Sequence, residues 1–326
     1  MTSRITLSRR SDELGVHSLD HFALAVPSLD EAQRYFDAFG LDARPEGRTL
    51  AIRTLGSTQC WGLLVEGNQK RLHHLSFGIF EEDLWSFRAR IAELGITRFD
   101  PPRGIESDGL WLLDPDGTLI ELKVAQKSSL DQKSIPELIS SPPGKAGAPK
   151  RSAAPRVRPT RLSHCLTFTR DVSAMIAFYT QVLGLRLSDR CGDDIAFMHG
   201  VHGSDHHLIA FCRSGEPGLH HSSWDVRSIQ ELGLGAMQMA DRGYTQGWGL
   251  GRHVLGSNYF HYVRDPWGSH AEYSCDMDFI PAGEPWEARD HPAEDAFYVW
   301  GPKPPADWTH NYEAVPGAGG DPASPC

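Results

Sequence analysis

Two histidines and a glutamate in the second half of the sequence have the residue types of a metal site. His164 lies in "LSHCLTFT", His221 opens "HSSWDV", and Glu272 lies in "SHAEYSC". All three stretches are rich in residues that favour β-strands, and alternation along a strand sends every second side chain to one face. Two neutral imidazoles and one carboxylate, with open positions opposite, form the facial triad suited to non-haem Fe(II) and oxygen chemistry. We therefore predict His164, His221 and Glu272 as metal ligands.

These histidines belong to a unit that occurs four times along the chain. Each copy begins Leu-x-His, continues through a short β-prone stretch, turns polar, and then becomes helical up to a glycine. The copies run from His21 to Gly40, His74 to Gly95, His164 to Gly184 and His221 to Gly243, which is 19 to 22 residues each. Near-constant spacing over four copies indicates an internal repeat.

The helix and strand signals inside the repeat agree with this division. Leu84, Phe87, Ile91 and Leu94 form one apolar stripe at helical spacing. Glycine at the end of each copy suits the left-handed residue that closes a helix. Two later stretches, "GLWLLDPDGTLIELKV" and "NYFHYVRDPWGSHAEYSC", each indicate a strand, an Asp-Pro-x-Gly turn and a second strand. The repeating unit is therefore a strand and a helix followed by further strands.

Two such units make a domain, so the sequence predicts two domains of the α+β class. We place the first at residues 15–125 and the second at 161–276. Residues 126–160, rich in Pro, Ser, Lys and Ala, are interpreted as a linker. The tail, 277–326, has little periodicity and contains the aromatic segment "DAFYVWG", for which we predict a rim or lid over the active site.

Composition excludes several classes of function. The net charge is −10, and no basic patch with interleaved aromatics is present, so nucleic acid is not an expected partner. No apolar run approaches the ~20 residues of a membrane helix, and the first residues lack the apolar stretch of a secretory signal. The six cysteines show no CxxC spacing and read as thiols of a reducing compartment. We expect a cytoplasmic protein without membrane partners.

The segment "GRHVLGSNYFHYVRDPWGSHAEY", residues 251–273, is the part of the sequence that points most specifically to one protein family. It resembles the C-terminal signature of the type I extradiol ring-cleavage dioxygenases, which belong to the vicinal oxygen chelate superfamily. In that signature a histidine, a tyrosine and a glutamate are separated by 9 and 10 residues, as His253, Tyr262 and Glu272 are here. The resemblance covers both domains and part of the tail. It implies a glyoxalase-like fold of four βαβββ modules paired into two domains, of which the C-terminal one is catalytic.

The resemblance also implies roles for individual residues. Glu272 would bind the metal with His164 and His221, while His253 and Tyr262 would flank the substrate. A further histidine beside the dioxygen position would donate a proton, and "DHHLIAF" offers His207, with His206 as its close competitor. The implied cofactor is Fe(II), with Mn(II) as the alternative. The implied reaction is the cleavage of a catechol-type aromatic by O2 to a muconic-semialdehyde-type product, and homo-oligomers are usual in the family.

The N-terminal domain keeps a ligand-like set at the matching positions, His21, His74 and Glu121. The accessory positions differ. Trp111 stands where Tyr262 has its counterpart, Pro102 where His253 would fall, and Cys60 where His207 would fall. We predict a non-catalytic structural relic, and the sequence leaves open whether it binds a metal.

Three other readings compete with catechol cleavage. One is another metalloenzyme of the same superfamily, namely an isomerase, an epimerase or a thiol transferase, which would share the metal positions without the His253 and Tyr262 pair. Another is a hydroquinone 1,2-dioxygenase-type enzyme, whose substrate hydroxyls are para and cannot chelate. The third is a non-catalytic protein that sequesters a small molecule, which would not need several titratable groups converging on a metal.

Overall fold

The structure is a computed structural model that describes residues 8–314, so residues 315–326 of the predicted tail lie outside the described residues. The first half of the chain forms one seven-stranded sheet. Its strands are β1 Ser18–Val26, β2 Asp42–Glu46, β3 Thr49–Arg53, β4 Gly62–Glu66, β5 Arg71–Ile79, β6 Leu110–Leu113 and β7 Leu119–Val124. They lie in the order β2-β3-β4-β1-β5-β7-β6, with β1 and β5 antiparallel at the centre.

The second half forms a ten-stranded sheet and a small two-stranded one. The strands are β8 Arg161–Thr169, β9 Arg186–Cys191, β10 Ile195–His199, β11 Ser204–Asp205, β12 Ile209–Arg213, β13 Gly218–Asp225, β14 Gly247–His253, β15 Tyr259–Arg264, β16 His270–Cys275, β17 Phe279–Ile280, β18 Arg289–Asp290 and β19 Tyr298–Trp300. The large sheet has the order β18-β9-β10-β12-β8-β13-β16-β15-β14-β19, and β11 pairs with β17. The central pair β8 and β13 repeats the antiparallel pairing of β1 and β5.

Helices follow the first strand of each unit, as the repeat predicts. They are α1 Leu29–Phe39, α2 Leu84–Glu93, α3 Val172–Gln181, α4 Ile229–Ala240 and, in the tail, α5 Ala293–Ala296; two short 3-10 segments are Glu81–Asp83 and Arg151–Ala153. All four predicted closing glycines have a positive φ, between 66° and 105°. At Gly40 the backbone N–H also bonds back to the carbonyl of Asp37, which closes α1 in the expected way.

The predicted α+β fold with paired modules is confirmed, with one difference in the second module. Its strands are only β5, β6 and β7. The remaining strand is reduced to an isolated bridge between Phe99 and Trp111, in a segment that contains a Pro-Pro pair. Proline has no backbone N–H to donate, so this stretch cannot extend the hydrogen-bond ladder.

Aromatic side chains join the two halves of the chain into one core. Tyr273 of β16 stacks on Phe39 of α1 at 3.8 Å between ring centroids, and its hydroxyl donates to the Phe39 carbonyl at 2.7 Å. Tyr35 of α1 donates in the same way to the carbonyl of Val263 at 2.7 Å. Trp224, fully buried, packs edge-on to Phe22 and is therefore a core residue. These contacts hold the site-bearing strands β15 and β16 against α1.

The tail wraps around the second sheet. β18 pairs with β9 at one edge of that sheet, and β19 pairs with β14 at the other. None of the helices within residues 8–314 is long and apolar enough to cross a membrane. The five cysteines among these residues form no disulfide, and Cys326 lies outside them.

Candidate active site

The three predicted ligands meet on neighbouring strands at the centre of the second sheet. His164 lies on β8, His221 on β13 and Glu272 on β16, and all three side chains are buried. The two Nε2 atoms are 3.3 Å apart, and Glu272 Oε2 lies 3.5 Å from Nε2 of His164 and 3.7 Å from Nε2 of His221. One nitrogen or oxygen of each residue therefore faces a common point.

Strand register produces this convergence. β13 lies between β8 and β16, and its Ser223 is paired with both His164 and Glu272. The register between β8 and β13 shifts from Leu219 to His221, so two residues of β13 oppose one residue of β8. This is a β-bulge, a feature that re-aims side chains near active sites. Because of it, the two adjacent histidines of the His220–His221 doublet both line the same cavity.

The doublet fixes which nitrogen of His221 carries the proton. Nε2 of His220 lies 2.9 Å from the carbonyl oxygen of Trp308, which can only accept, so this nitrogen carries the hydrogen. Its Nδ1 is then an acceptor, and it lies 2.8 Å from Nδ1 of His221. His221 must donate there, so the tautomer assigned from these partners leaves its Nε2 lone pair facing Glu272.

A different chain of contacts gives His164 the same tautomer. Ser163 donates from Oγ to Oδ2 of Asp205 at 3.0 Å, and this carboxylate also pairs with Arg161 at 2.7 Å. Oγ of Ser163 is therefore the acceptor for Nδ1 of His164, 3.2 Å away. The Nε2 lone pair of His164 is left facing the other two ligands.

These donors fit a divalent cation. Two imidazole lone pairs at 3.3 Å repel each other unless a positive charge lies between them. Glu272 accepts a hydrogen bond from Asn258 at Oε1, 3.0 Å away, whereas its buried Oε2 has no hydrogen-bond partner among residues 8–314. A bare carboxylate oxygen in the interior is costly without a counter-charge. The set matches the two-histidine, one-carboxylate ligation of Fe(II) and Mn(II).

His253 and Tyr262 lie together beside the ligands. Nδ1 of His253 lies 2.9 Å from the carbonyl of Phe297 and must donate to it, so its Nε2 accepts from the Tyr262 hydroxyl at 2.9 Å. Tyr262 is paired with Glu272 across β15 and β16. Burial and the nearby Glu272 carboxylate raise the pKa of Tyr262 well above its usual value, and burial lowers the pKa of His253. Tyr262 is thus a neutral phenol whose oxygen can accept from a ligand hydroxyl.

The adjacent histidines His206 and His207 separate into two roles. The ring of His207 lies 4.0 Å from that of His164 and lines the cavity, whereas His206 faces away and pairs with Asp189 at 2.8 Å. Because Asp189 only accepts, Nδ1 of His206 is an acceptor for Nδ1 of His207, 3.1 Å away. His207 therefore has an unprotonated Nε2. Burial and the neighbouring histidines, His164 first among them, lower the pKa of His207 well below its usual value.

The cavity in front of these residues has an apolar wall built partly from the tail. Leu166, Ile195, Phe197, Leu255, Phe297 and Trp308 line it. Of the aromatic segment predicted as a rim, Phe297 faces the cavity, Tyr298 packs against Trp248, and Trp300 is 44% exposed at the sheet edge.

Two contributors were missed by sequence analysis. The Trp308 carbonyl, through His220, sets the tautomer of His221, and Asn258 holds Glu272. Trp308 lies 36 positions beyond Glu272 along the chain, where no periodicity points to the site.

Buried histidines predict a stability that falls with acid. Burial lowers the pKa of His17 and His261 to about 4, that of His220 to about 4 and that of His199 to about 3. Below the unfolded pKa of ~6.5, these histidines bind protons in the unfolded chain but not in the folded one. Each of them therefore lowers the free energy of unfolding by ~1.4 kcal/mol per pH unit until the pH reaches its folded pKa. The metal-free protein should therefore lose stability steadily from pH 6.5 to pH 4.

Urea unfolding followed by tryptophan fluorescence at pH 7, 6 and 5 measures this dependence. The variant His261→Gln should show a shallower slope by about one proton. An unfolding free energy that stays constant from pH 7 to pH 5 would contradict the expectation.

Fold and site together define the class of protein: a vicinal oxygen chelate protein whose two histidines and one glutamate are placed as a candidate metal site. Residues 161–273 match the Glyoxalase/Bleomycin resistance protein/Dioxygenase superfamily. The chain is 50% identical over 299 residues to Metapyrocatechase 2 of Cupriavidus necator, covering 92% of this chain and 93% of that protein. The chain belongs to this superfamily and, within it, to the extradiol dioxygenases.

Solved structures agree on the fold. The Mn(II)-bound glyoxalase from Novosphingobium aromaticivorans superposes with a TM-score of 0.74 at 24% identity, covering 93% of this chain and 97% of that one. An extradiol ring-cleaving dioxygenase from B. fuscum superposes with a TM-score of 0.73 at 18% identity, covering 93% and 84%. At these identities the likeness concerns the fold alone.

Proposed function

We propose that this protein catalyses extradiol, or meta, cleavage of a catechol by O2. Both atoms of O2 enter the product, and the ring bond beside one hydroxyl-bearing carbon breaks, which gives a muconic-semialdehyde-type acid. The observation that carries the proposal is the arrangement around the ligands: the His207 ring lies 4.0 Å from that of His164, whereas the Tyr262 ring lies 5.1 Å from that of His221 and its hydroxyl is bonded to His253. This arrangement occurs in a chain that is 50% identical to a metapyrocatechase.

We assign the metal position to Fe(II), with Mn(II) as the alternative. When bound by His164, His221 and Glu272, such an ion would supply the Lewis-acid and one-electron redox chemistry that the reaction of a catechol with O2 needs. The buried ligands His164, His221 and Glu272 supply one negative charge in total, which leaves a net positive site for a catecholate.

The chain's own groups handle the protons and the orientation. The Tyr262 hydroxyl already donates to His253, so its oxygen accepts from the substrate hydroxyl and fixes the orientation of the ring. The unprotonated Nε2 of His207 can take up a substrate proton and return it later, because Nδ1 of the same ring is held by His206. The apolar wall excludes water from the reaction.

The lining favours an uncharged catechol. It includes no lysine or arginine among the residues that the structure describes, and its wall is mostly leucine, isoleucine and aromatic side chains. A ring carboxylate would therefore be desolvated without a cationic partner. We propose catechol and its alkyl- or aryl-substituted forms as the substrate class.

Oxygen uptake tests the proposal. Protein purified without oxygen and loaded with Fe(II) is mixed with catechol, 3-methylcatechol, 4-methylcatechol, 2,3-dihydroxybiphenyl, protocatechuate or hydroquinone, and the visible spectrum is recorded. Stoichiometric uptake with a yellow product is expected for the uncharged catechols, with protocatechuate the slowest of the catechols. Uptake with hydroquinone alone would move the assignment to hydroquinone cleavage. No uptake with iron bound would move it to a non-oxygenase member of the superfamily.

Phe297 is expected to limit the size of the substrate. Its side chain lines the cavity, whereas the contact to His253 uses its backbone carbonyl. The variant Phe297→Ala should keep that contact and open the wall, which raises kcat/KM for 2,3-dihydroxybiphenyl relative to catechol by ~10-fold. Steady-state oxygen uptake with both substrates measures the ratio. Trp300→Ala, on the same tail but exposed, should leave the ratio unchanged, and an unchanged ratio in Phe297→Ala would show that another residue limits the pocket.

We also propose that the protein is a cytoplasmic homo-oligomer. The five cysteines among residues 8–314 form no disulfide, which suits a reducing compartment. Ile135, Leu138 and Ile139, close together in the linker sequence, are 83%, 92% and 51% exposed, and contact with a second copy of the chain would cover them. Sedimentation velocity should show a species larger than the 36.1 kDa chain.

A further inference from the structure

The N-terminal sheet holds a second set of converging ligand atoms. His21 on β1, His74 on β5 and Glu121 on β7 are buried, and one ligand atom of each lies within 4.8 Å of the others. The Nε2 atoms of His21 and His74 are 3.3 Å apart, the same separation as in the C-terminal site. Three strands of the first sheet therefore present a two-histidine, one-carboxylate set.

Strand register reproduces the C-terminal arrangement. Ser76 on β5 is paired with both His21 and Glu121, as Ser223 on β13 is paired with both C-terminal counterparts. Ala23 of β1 pairs with His74 and Leu24 pairs with Leu72, so His73 is the extra residue of a β-bulge on β5. His73 and His74 form a second histidine doublet. Nδ1 of His73 lies 2.8 Å from Nδ1 of His74, as in the other doublet.

Asp20 fixes the tautomer of His21. Nδ1 of His21 lies 2.7 Å from Oδ1 of Asp20, which is buried and can only accept, so the hydrogen is on Nδ1. The Nε2 lone pair of His21 consequently points at His74. A carboxylate behind a histidine is the usual support of a histidine that binds metal, because it orients the ring and raises its basicity.

Glu121 is fixed from three sides. Its Oε2 accepts from Ser76 at 2.5 Å, and its Oε1 accepts from Ser107. At Gly109 a Cβ atom would lie 2.6 Å from Oε1, so only glycine lets the chain pass this close to the carboxylate. A carboxylate oxygen that accepts one hydrogen bond retains a lone pair for a metal. The carboxylate is therefore preorganised, and each of its oxygens keeps a lone pair that can bind a cation.

Trp111 closes the site where the C-terminal domain has its substrate cavity. Trp111 is paired with Glu121 across β6 and β7, just as Tyr262 is paired with Glu272. Its side chain is 1% exposed, and its ring lies edge-on to that of His74, 5.0 Å between centroids. Its indole occupies the side from which a substrate would approach.

We propose that His21, His74 and Glu121 bind a divalent first-row transition ion that ties together β1, β5 and β7 and turns over no substrate. The Nε2 lone pair of His21, which faces the imidazole of His74, would bind the ion. Asp20 supports His21 and two serines support Glu121, so these ligands would hold the ion without an open position for a substrate. The chain would then bind two ions, one in each half, with the N-terminal one structural. This inference does not depend on the proposed reaction.

Cobalt binding to the full-length chain tests the proposal. The double variant His164→Ala/His221→Ala removes the C-terminal site, and Co²⁺ titration of its metal-free form is followed by visible absorption and by metal analysis after dialysis. One bound equivalent is expected, against two in the unaltered protein. Adding His74→Ala to the double variant should abolish the remaining equivalent, while adding the exposed His310→Ala should not.

Zero equivalents in the folded double variant, with one in the unaltered protein, would overturn the proposal and indicate a metal-free hydrogen bond between His21 and His74. If circular dichroism shows that the double variant does not fold, Glu121→Gln and Asp20→Asn are made in the otherwise unaltered protein. A fall from two equivalents to one in those variants supports the second site, and an unchanged content rejects it. Neither result depends on turnover.

Discussion

Replacing His221 with alanine should abolish turnover, with a fall of at least ~10³-fold in kcat, or ~4 kcal/mol of the barrier. The change removes one of three ligands and leaves His164 and Glu272 facing each other at 3.5 Å. It also removes the Nδ1–H that His220 accepts. Oxygen uptake with catechol and the content of metal bound at the C-terminal site should fall together, because the two remaining ligands cannot hold the ion during dialysis.

A graded series separates ligation from support. Glu272→Gln keeps the side-chain volume and the contact with Asn258 but removes the charge, so it should resemble His221→Ala. His220→Phe keeps the buried ring but breaks the link from the Trp308 carbonyl, and we expect a ~10- to 100-fold loss in metal affinity, as for other residues that support a ligand. Near-normal oxygen uptake in His221→Ala, with the protein folded, would show that the metal lies elsewhere.

The repeat made most of the fold predictable. Residues that recur at fixed spacing, such as the histidine of each unit and the glycine that closes each helix, report a module that folds the same way each time, and both predictions agree with the structure. The second module is the exception, because its Pro-Pro pair removes backbone donors and reduces one strand to the bridge at Trp111. Local chemistry overrode the repeat there.

The convergence of His164, His221 and Glu272 was also predictable, since strand pairing within a repeat brings equivalent positions together. Which nitrogen each histidine presents was not. That depends on the bulge in β13, on Asp205 reaching Ser163, and on the Trp308 carbonyl returning from the tail. Such contacts between residues remote in sequence follow from tertiary packing, which single-sequence periodicity does not encode.

His206 and His207 show the same limit at single-residue scale. The sequence leaves open which of the two faces the dioxygen position, because one residue of loop length would exchange them. In the structure the pairing of His206 with Asp189, and of Asp189 with His291 at 2.8 Å, holds His206 outside the cavity. His207 remains on the cavity side, where we propose the proton transfer.

Substituting His207 with phenylalanine should separate chemistry from binding. The ring still fills the space between His164 and Phe197, whose rings lie 4.0 and 4.9 Å from that of His207, so the metal content and the KM for catechol should change little. With no nitrogen to take and return a proton, kcat should fall by ~10²- to 10⁴-fold. Metal analysis and steady-state oxygen uptake over pH 6 to 9 measure the two effects in the same preparation.

Asp189→Asn provides the matched test of the tautomer assignment. Hydrogen bonds from His206 and His291 outweigh the effect of burial and lower the pKa of Asp189, so this residue is a carboxylate that only accepts. An amide can also donate to His206, which would exchange the protons along the pair and place a hydrogen on Nε2 of His207. We expect an intermediate loss in kcat with a displaced pH profile.

Normal kcat in His207→Phe would exclude His207 from proton transfer and leave Tyr262 as the group to examine. A fall in metal content in that variant would instead assign His207 to supporting His164.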